Sequence, residues 1–257
     1  MTTPAHHEPH ELSTPQKVYL WLTCISVACL LVADITGCKL FTIPLGFSFS
    51  VPWSSQPIDA IQHTCGMLAF PITFLLTDLI NEYYGKKAAR RVVWLSFAMG
   101  FLVFLFINAA LNMEHLDAVY NVKKESFDNV LGNTRIMYIA SLCAFLVGSF
   151  SDIFLFSWIK KLTKGKHVWL RATGSTIISQ FIDSLIVTYL AFNLGRRLFP
   201  AADSIPMPTP EVLKTALTGY MLKYVIAIAL TPAIYLGRYI LHTYFGLKPL
   251  PPDQATT

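Results

Sequence analysis

An all-α membrane protein with several spans is the fold class this chain predicts, and three observations predict it. Hydrophobic residues make up 54% of its 257 residues and charged residues only 14%, whereas soluble domains carry about a quarter charged. The apolar residues fall in runs near twenty long, the length that crosses a hydrocarbon core of about 30 Å. The basic residues cluster between particular runs. That is a topogenic pattern, so the net charge of +5 does not read as a nucleic-acid surface.

Taken in order, residues 1–16 read as a disordered cytoplasmic tail, because they lack the basic start and small-residue cleavage site of a secretory signal. His6, His7 and His10 lie there without cysteine or ordered carboxylate neighbours, a poor metal site. A single transmembrane domain is expected over 17–245, followed by a C-terminal cytoplasmic tail over 246–257. Six spans are expected, near Val18 to Cys38, Thr64 to Tyr84, Val92 to Asn112, Ile136 to Ile159, Thr173 to Gly195 and Val212 to Gly237. The connection after Tyr84 carries Lys86, Lys87, Arg90 and Arg91. The one after Ile159 carries Lys160, Lys161, Lys164, Lys166 and Arg171. Neither holds an acid, so both face the cytoplasm of an inner (plasma) membrane, and six spans then put both termini there too. Arg196 and Arg197, just outside the fifth span, run against this pattern but do not outweigh two clean clusters.

Between the first two spans, Phe41, Ile43, Leu45, Phe47, Phe49 and Val51 alternate with Thr42, Pro44, Gly46, Ser48 and Ser50. Period two means strand. With proline demoting it to an edge and Gly46 able to turn it, the segment reads as a short amphipathic hairpin or an interfacial loop. Three spans per half would make any internal duplication an inverted 3+3 repeat. Ala33-Asp34-Ile35 is echoed by Ser151-Asp152-Ile153, and Thr77-Asp78-Leu79-Ile80 by Ile182-Asp183-Ser184-Leu185-Ile186.

Carboxylates inside the spans carry the functional signal, since a charge at mid-bilayer costs a few kcal/mol or more and normally faces a cavity, a partner or a solute. Asp78 precedes Lys86 by eight residues and Asp152 precedes Lys160 by eight, which places both roughly 12 Å above the inner boundary. Asp183, twelve residues after Arg171, comes to roughly 18 Å. These three form a layer near the midplane, where transporters bind. Asp34 lies farther out, with Lys223 at a similar height and Lys39 close by as candidate partners, and these three share a structural or coupling role with Asp152, whose neighbours Ser149 and Ser151 suit helix–helix hydrogen bonding. Glu82, four residues before Lys86, reads as a local ion pair on spacing alone. Ser175, Thr176, Ser179 and Gln180 run along the fifth span, and Gln180 shares a face with Asp183. Pro71 interrupts the second span, and a missing donor can expose backbone to a cavity.

The segment from Phe70-Pro71-Ile72-Thr73-Phe74 through Thr77-Asp78-Leu79-Ile80-Asn81-Glu82-Tyr83-Tyr84-Gly85-Lys86-Lys87 resembles the signature of the YhhQ-type queuosine-precursor transporters, a vitamin-uptake-like membrane family. Trp169-Leu170-Arg171, Gly174-Ser175-Thr176, Ser179-Gln180-Phe181-Ile182-Asp183-Ser184 and Lys39 extend the resemblance over nearly all six spans. At Asp34 the chain departs from the family, which often has an amide there. The resemblance implies import of 7-deazaguanine precursors: the 7-cyano base, the 7-aminomethyl base or queuine. A guanine-like edge offers two parallel donors that one carboxylate accepts together. On that reading Asp183 or Glu82 takes the edge, Gln180, Asp78, Ser179 and Arg171 support it, and Phe74 or Trp169 stacks on the ring.

Secondary or facilitative transport without a cofactor is expected, since no G-x-x-x-x-G-K-[ST] loop is present. One rival is a substrate-binding subunit of an ATPase-driven vitamin uptake system. An intramembrane enzyme is weaker, because no H-E-x-x-H or G-x-S-x-G motif occurs. The expected partners are a purine-like small molecule and lipid, not nucleic acid. The Ser96 and Gly100 spacing gives a slight lean toward a homodimer.

Overall fold

The structure, a computed structural model, describes residues 11–36, 39–49, 58–131, 135–194, 197 and 206–251. The chain is predominantly helical, and the long helices expected from the apolar runs are present. They are α1 (Thr14–Thr36), α2 (Phe70–Leu111), α4 (Arg135–Leu162), α5 (Val168–Tyr189) and α6 (Thr209–Ala229). A short α3 (Lys124–Leu131) precedes α4, and α7 (Thr231–Thr243) follows α6 after a break at Leu230. Among the described residues, five helical segments are long and apolar enough to cross a membrane. Large side chains such as Trp21, Trp94 and Phe106 point outward from them, at 69%, 56% and 67% exposure. A soluble fold avoids so much exposed apolar surface, whereas a lipid-facing one uses it.

One of the five segments, Cys65–Leu111, is 47 residues long, about 70 Å if it were straight. It is not straight, because Gly85 (φ 82°, ψ 173°) leaves helical geometry within it. That conformation is essentially restricted to glycine. Near Gly85, Tyr84 Oη donates to the Pro15 carbonyl and Tyr19 Oη to the Ala88 carbonyl, both at the start of α1. At the other end of α1, Gly66 packs on the Ala33 carbonyl, and a Cβ on Gly100 would stand 4.0 Å from Asp34 Oδ2. Residues 66 and 100 therefore share one end and residues 84 and 88 the other. The chain reverses at Gly85, and 70–84 runs antiparallel to 86–111.

Segment 70–84 sits at the centre of the molecule. Leu79 and Tyr83 join Val18, Phe156, Ile234 and Leu241 in one buried cluster, while Ile80 joins Leu30, Val92, Val93, Phe145 and Ile153 in another. Ser96 and Gly100 are buried, and a Cβ on Gly100 would come 2.9 Å from Leu142. The Gly100 end of that small-residue spacing is taken up by packing against α4.

The alternating segment does form a strand, β1 (Leu40–Phe49), but it does not turn back at Gly46. It pairs antiparallel with β2 (Ile58–Thr64), with Leu40 opposite Thr64 and Pro44 opposite Ala60. Between Pro44 and Phe49 the register shifts, and Gly46, at φ 72°, lies in that irregularity. The connection over 50–57, like the histidine-bearing stretch 1–10, lies outside the described residues. After α7, residues 246–251 fold back onto the bundle: Leu250 N–H donates to the Glu82 carbonyl at 3.0 Å, and Leu247 packs on the first cluster.

Candidate functional site

Three polar layers are stacked within the bundle. The one nearest the basic connections is built on Glu82, which is 2% exposed. Lys160 Nζ lies 3.0 Å from Glu82 Oε2, and Arg171 Nη2 bonds Glu82 Oε1. Arg238 approaches the same oxygen at 4.0 Å. Arg171 Nη1 also donates to the Gly165 carbonyl at 2.8 Å, tying the turn between α4 and α5 to the site. The expected Glu82–Lys86 pair is absent. Gly85 breaks the helix between them, so the one-turn spacing no longer brings the side chains together, and Lys86 lies over the Phe154 ring at 5.0 Å. In a dry interior a carboxylate so matched is held in place, since removing one partner leaves an uncompensated charge.

One turn farther along, Asp78 and Asp152 meet, both below 5% exposure and within mutual hydrogen-bonding reach. Ser179 Oγ and Thr176 Oγ1 donate to Asp152 Oδ1 at 3.1 and 3.3 Å. Among the described residues, Asp78 Oδ1 and Asp152 Oδ2 have no hydrogen-bond partner. Beside Asp78 opens a pocket with about 30 Å³ of room, lined by Phe74, Leu75, Thr173, Thr176, Leu230 and Thr231 among others. That is space for about one water. The pocket sits at the α6–α7 break, where Thr173 Oγ1 and Thr231 Oγ1 are hydrogen-bonded at 2.6 Å.

From the pocket, a polar stripe continues along α5. Thr173, Thr176, Gln180 and Ser184 follow at helical spacing, so they share a face. Gln180 is 3% exposed and Ser184 4% exposed. Both amide atoms of Gln180 and the Ser184 hydroxyl are buried without a partner among the described residues. Such groups cost free energy unless something meets them.

The third layer holds Asp183, Asp34 and Lys223, so Asp183 does not share the layer of Asp78 and Asp152 as its offset from Arg171 suggests but lies one turn farther out, beside Asp34. Lys223 Nζ lies 2.5 Å from Asp183 Oδ2, so the expected Asp34–Lys223 pair is replaced by Asp183–Lys223. Asp34 instead accepts from Ser141 at 3.1 Å. Asp183 packs against α4 at Gly148, where a Cβ would stand 3.1 Å from its own. Lys39 is exposed, on the short link before β1, and Trp169, 49% exposed, lies on the outer surface away from the pocket.

Sequence reasoning missed Lys160, Thr173, Thr231, Ser184, Tyr138 and Ser141. Thr231-Pro232 inside an apolar run was a readable sign of a helix restart, and Thr173–Thr176 spacing a readable sign of one face. Nothing in the chain marked Lys160 as turned inward.

Residues 64–237 match the family described as "Putative vitamin uptake transporter". The chain belongs to that family. As a vitamin-uptake-type membrane transporter it is 27% identical to the probable queuosine precursor transporter of Bacillus subtilis (strain 168), over 76% of each chain. It is 26% identical to the queuosine precursor transporter of Escherichia coli (strain K12), over 67% of this chain and 71% of that one. With the probable queuosine precursor transporter of Haemophilus influenzae it shares 24% identity over 68% of each. These relatives are named as transporters, which sets the enzyme reading aside for this family member. No solved structure matches it.

Proposed function

We propose that this transporter imports a 7-deazaguanine precursor of queuosine as a secondary or facilitative carrier, and that the solute binds between Asp78 and Gln180 with Phe74 against its ring. Asp78 carries the reading: it is buried, opens onto the pocket and keeps an oxygen without a partner among the described residues. A carboxylate accepts the paired donors of a guanine-like edge, and the Gln180 amide supplies one acceptor and one donor for a carbonyl and an N–H. The relatives' names supply the substrate class. Glu82 and Arg171 take a positioning role here, and Asp183 is engaged by Lys223.

With about 30 Å³ beside Asp78, the pocket is smaller than a purine, so the proposal requires it to widen. The α6–α7 break is the element placed to move, since broken helices are where carriers gate. Six crossings belong to the same proposal, with Gly85 the hairpin between the second and third, Asp34 and Asp183 toward the outer face, and both termini on the cytoplasmic side of the inner membrane. A homodimer is carried with it, on no assigned face.

The test is binding and uptake together. A 7-deazaguanine should raise the melting temperature of the purified protein, as any ligand of the native state must, and reconstituted vesicles holding this chain alone should take it up. Asp78→Asn and Gln180→Ala should weaken both responses about tenfold or more while melting normally without ligand. Binding that is indifferent to both substitutions sinks the site. Uptake that appears only with an added ATPase favours the subunit reading.

A further inference from the structure

Charge is balanced in two of the polar layers and unbalanced in the third. Glu82, Asp78 and Asp152 stand against Lys160, Arg171 and Arg238, three acids to three bases linked by contact or electrostatic reach. In the third layer Asp34 and Asp183 are within electrostatic reach of one another, and Lys223, the one base placed there among the described residues, is bound to Asp183. Asp34 Oδ1 accepts from Ser141, while Oδ2 is buried without a hydrogen-bond partner among the described residues. Tyr138, one turn before Ser141 on the same face of α4, is 7% exposed and within electrostatic reach of Asp34. Its hydroxyl is likewise buried and without a partner among the described residues. The groups around Asp34 are thus Gly100 from 86–111, Tyr138 and Ser141 from α4, and Asp183 from α5 with Lys223 of α6 behind it.

We propose that Asp34, Tyr138 and Ser141 form a binding site for one monovalent cation, a proton or a sodium ion, that is coupled to solute passage. The site offers a carboxylate and two hydroxyl oxygens, all hard donors, in a layer where one lysine faces two acids among the described residues. One lysine cannot neutralise two acids. With the cation on Asp34, Lys223 stays on Asp183. Without it, Asp34 competes for the lysine and Asp183 is released. Asp183 lies one turn from Gln180, so cation occupancy bears on the proposed solute site, and linkage makes that influence mutual. The coupling rests on the transport reading, whereas the cation site itself does not.

The experiment uses the purified full chain. Its melting temperature is followed against pH at fixed sodium, and against sodium chloride versus choline chloride at fixed pH. Vesicles are then loaded to give an inward proton gradient or an inward sodium gradient, and 7-deazaguanine accumulation is measured. One of the two cations should raise the melting temperature. For one-to-one coupling, a tenfold gradient of that cation should drive about tenfold accumulation. Asp34→Asn should abolish both responses, and Tyr138→Phe, a milder change that keeps the ring, should weaken both. Melting indifferent to both cations, or an Asp34→Asn protein that responds like the wild type, overturns the cation site. Vesicles that take up no deazapurine while the Asp34-dependent melting shift persists would overturn the substrate reading and leave the cation site standing.

Discussion

Glu82 and Asp78 lie one turn apart on the same helix, both almost fully buried, and they live in opposite circumstances. Glu82 meets Lys160 and Arg171 with Arg238 near, and even its backbone carbonyl is taken by Leu250. Asp78 faces another acid, Asp152, and a pocket, with Arg171 within electrostatic reach but no ion pair among the described residues. Burial alone therefore does not mark a binding residue. A matched carboxylate fixes helices against each other, and an unmatched one has hydrogen-bonding capacity left for a solute.

The largest effect is expected of Glu82→Gln. It leaves Lys160 and Arg171 facing a neutral amide, and should destabilise the protein by about 3–5 kcal/mol, seen as a large fall in membrane level and in the melting temperature in detergent. Normal levels with lost uptake would instead move Glu82 to the solute. Next comes Asp78→Asn, expected to cost about 1.5–3 kcal/mol of binding, or roughly tenfold to a hundredfold in Kd by calorimetry, with little change in melting. Gly85→Ala forces a side chain into a glycine-only conformation and toward Leu250 Cδ1, 3.3 Å from the added Cβ. A loss of about 1–3 kcal/mol is expected, read in the same melting assay. The smallest effect belongs to Thr173→Val, about 1 kcal/mol for the lost Thr231 hydroxyl contact. The Thr173→Val, Thr231→Val double variant should then cost much less than the sum, as paired partners do.

The helices were legible because lipid-facing runs need only length and apolarity, and Lys86, Lys87, Arg90 and Arg91 marked the stretch where α2 leaves helical geometry at Gly85. β1 was legible from its alternation, but not its partner. Ile58-Asp59-Ala60-Ile61-Gln62-His63-Thr64 has no comparable pattern, and strand pairing is set by tertiary approach. Depth was partly legible: Asp78 and Asp152 do meet, as equal offsets from Lys86 and Lys160 implied. Depth says nothing about azimuth, however. Lys223 and Asp34 share a height, yet the lysine points to Asp183. Glu82 shows the complementary failure, in which a sound local rule was cancelled by one residue with positive φ.

The fold-back of 246–251 has a practical side. Leu250 holds the peptide oxygen of Glu82 and its side chain rests against Gly85, so anything fused close behind it tugs on the hairpin bend. A bulky tag at that end should be spaced by a flexible linker. A small fluorophore attached there becomes a reporter of whether the bend stays latched during turnover.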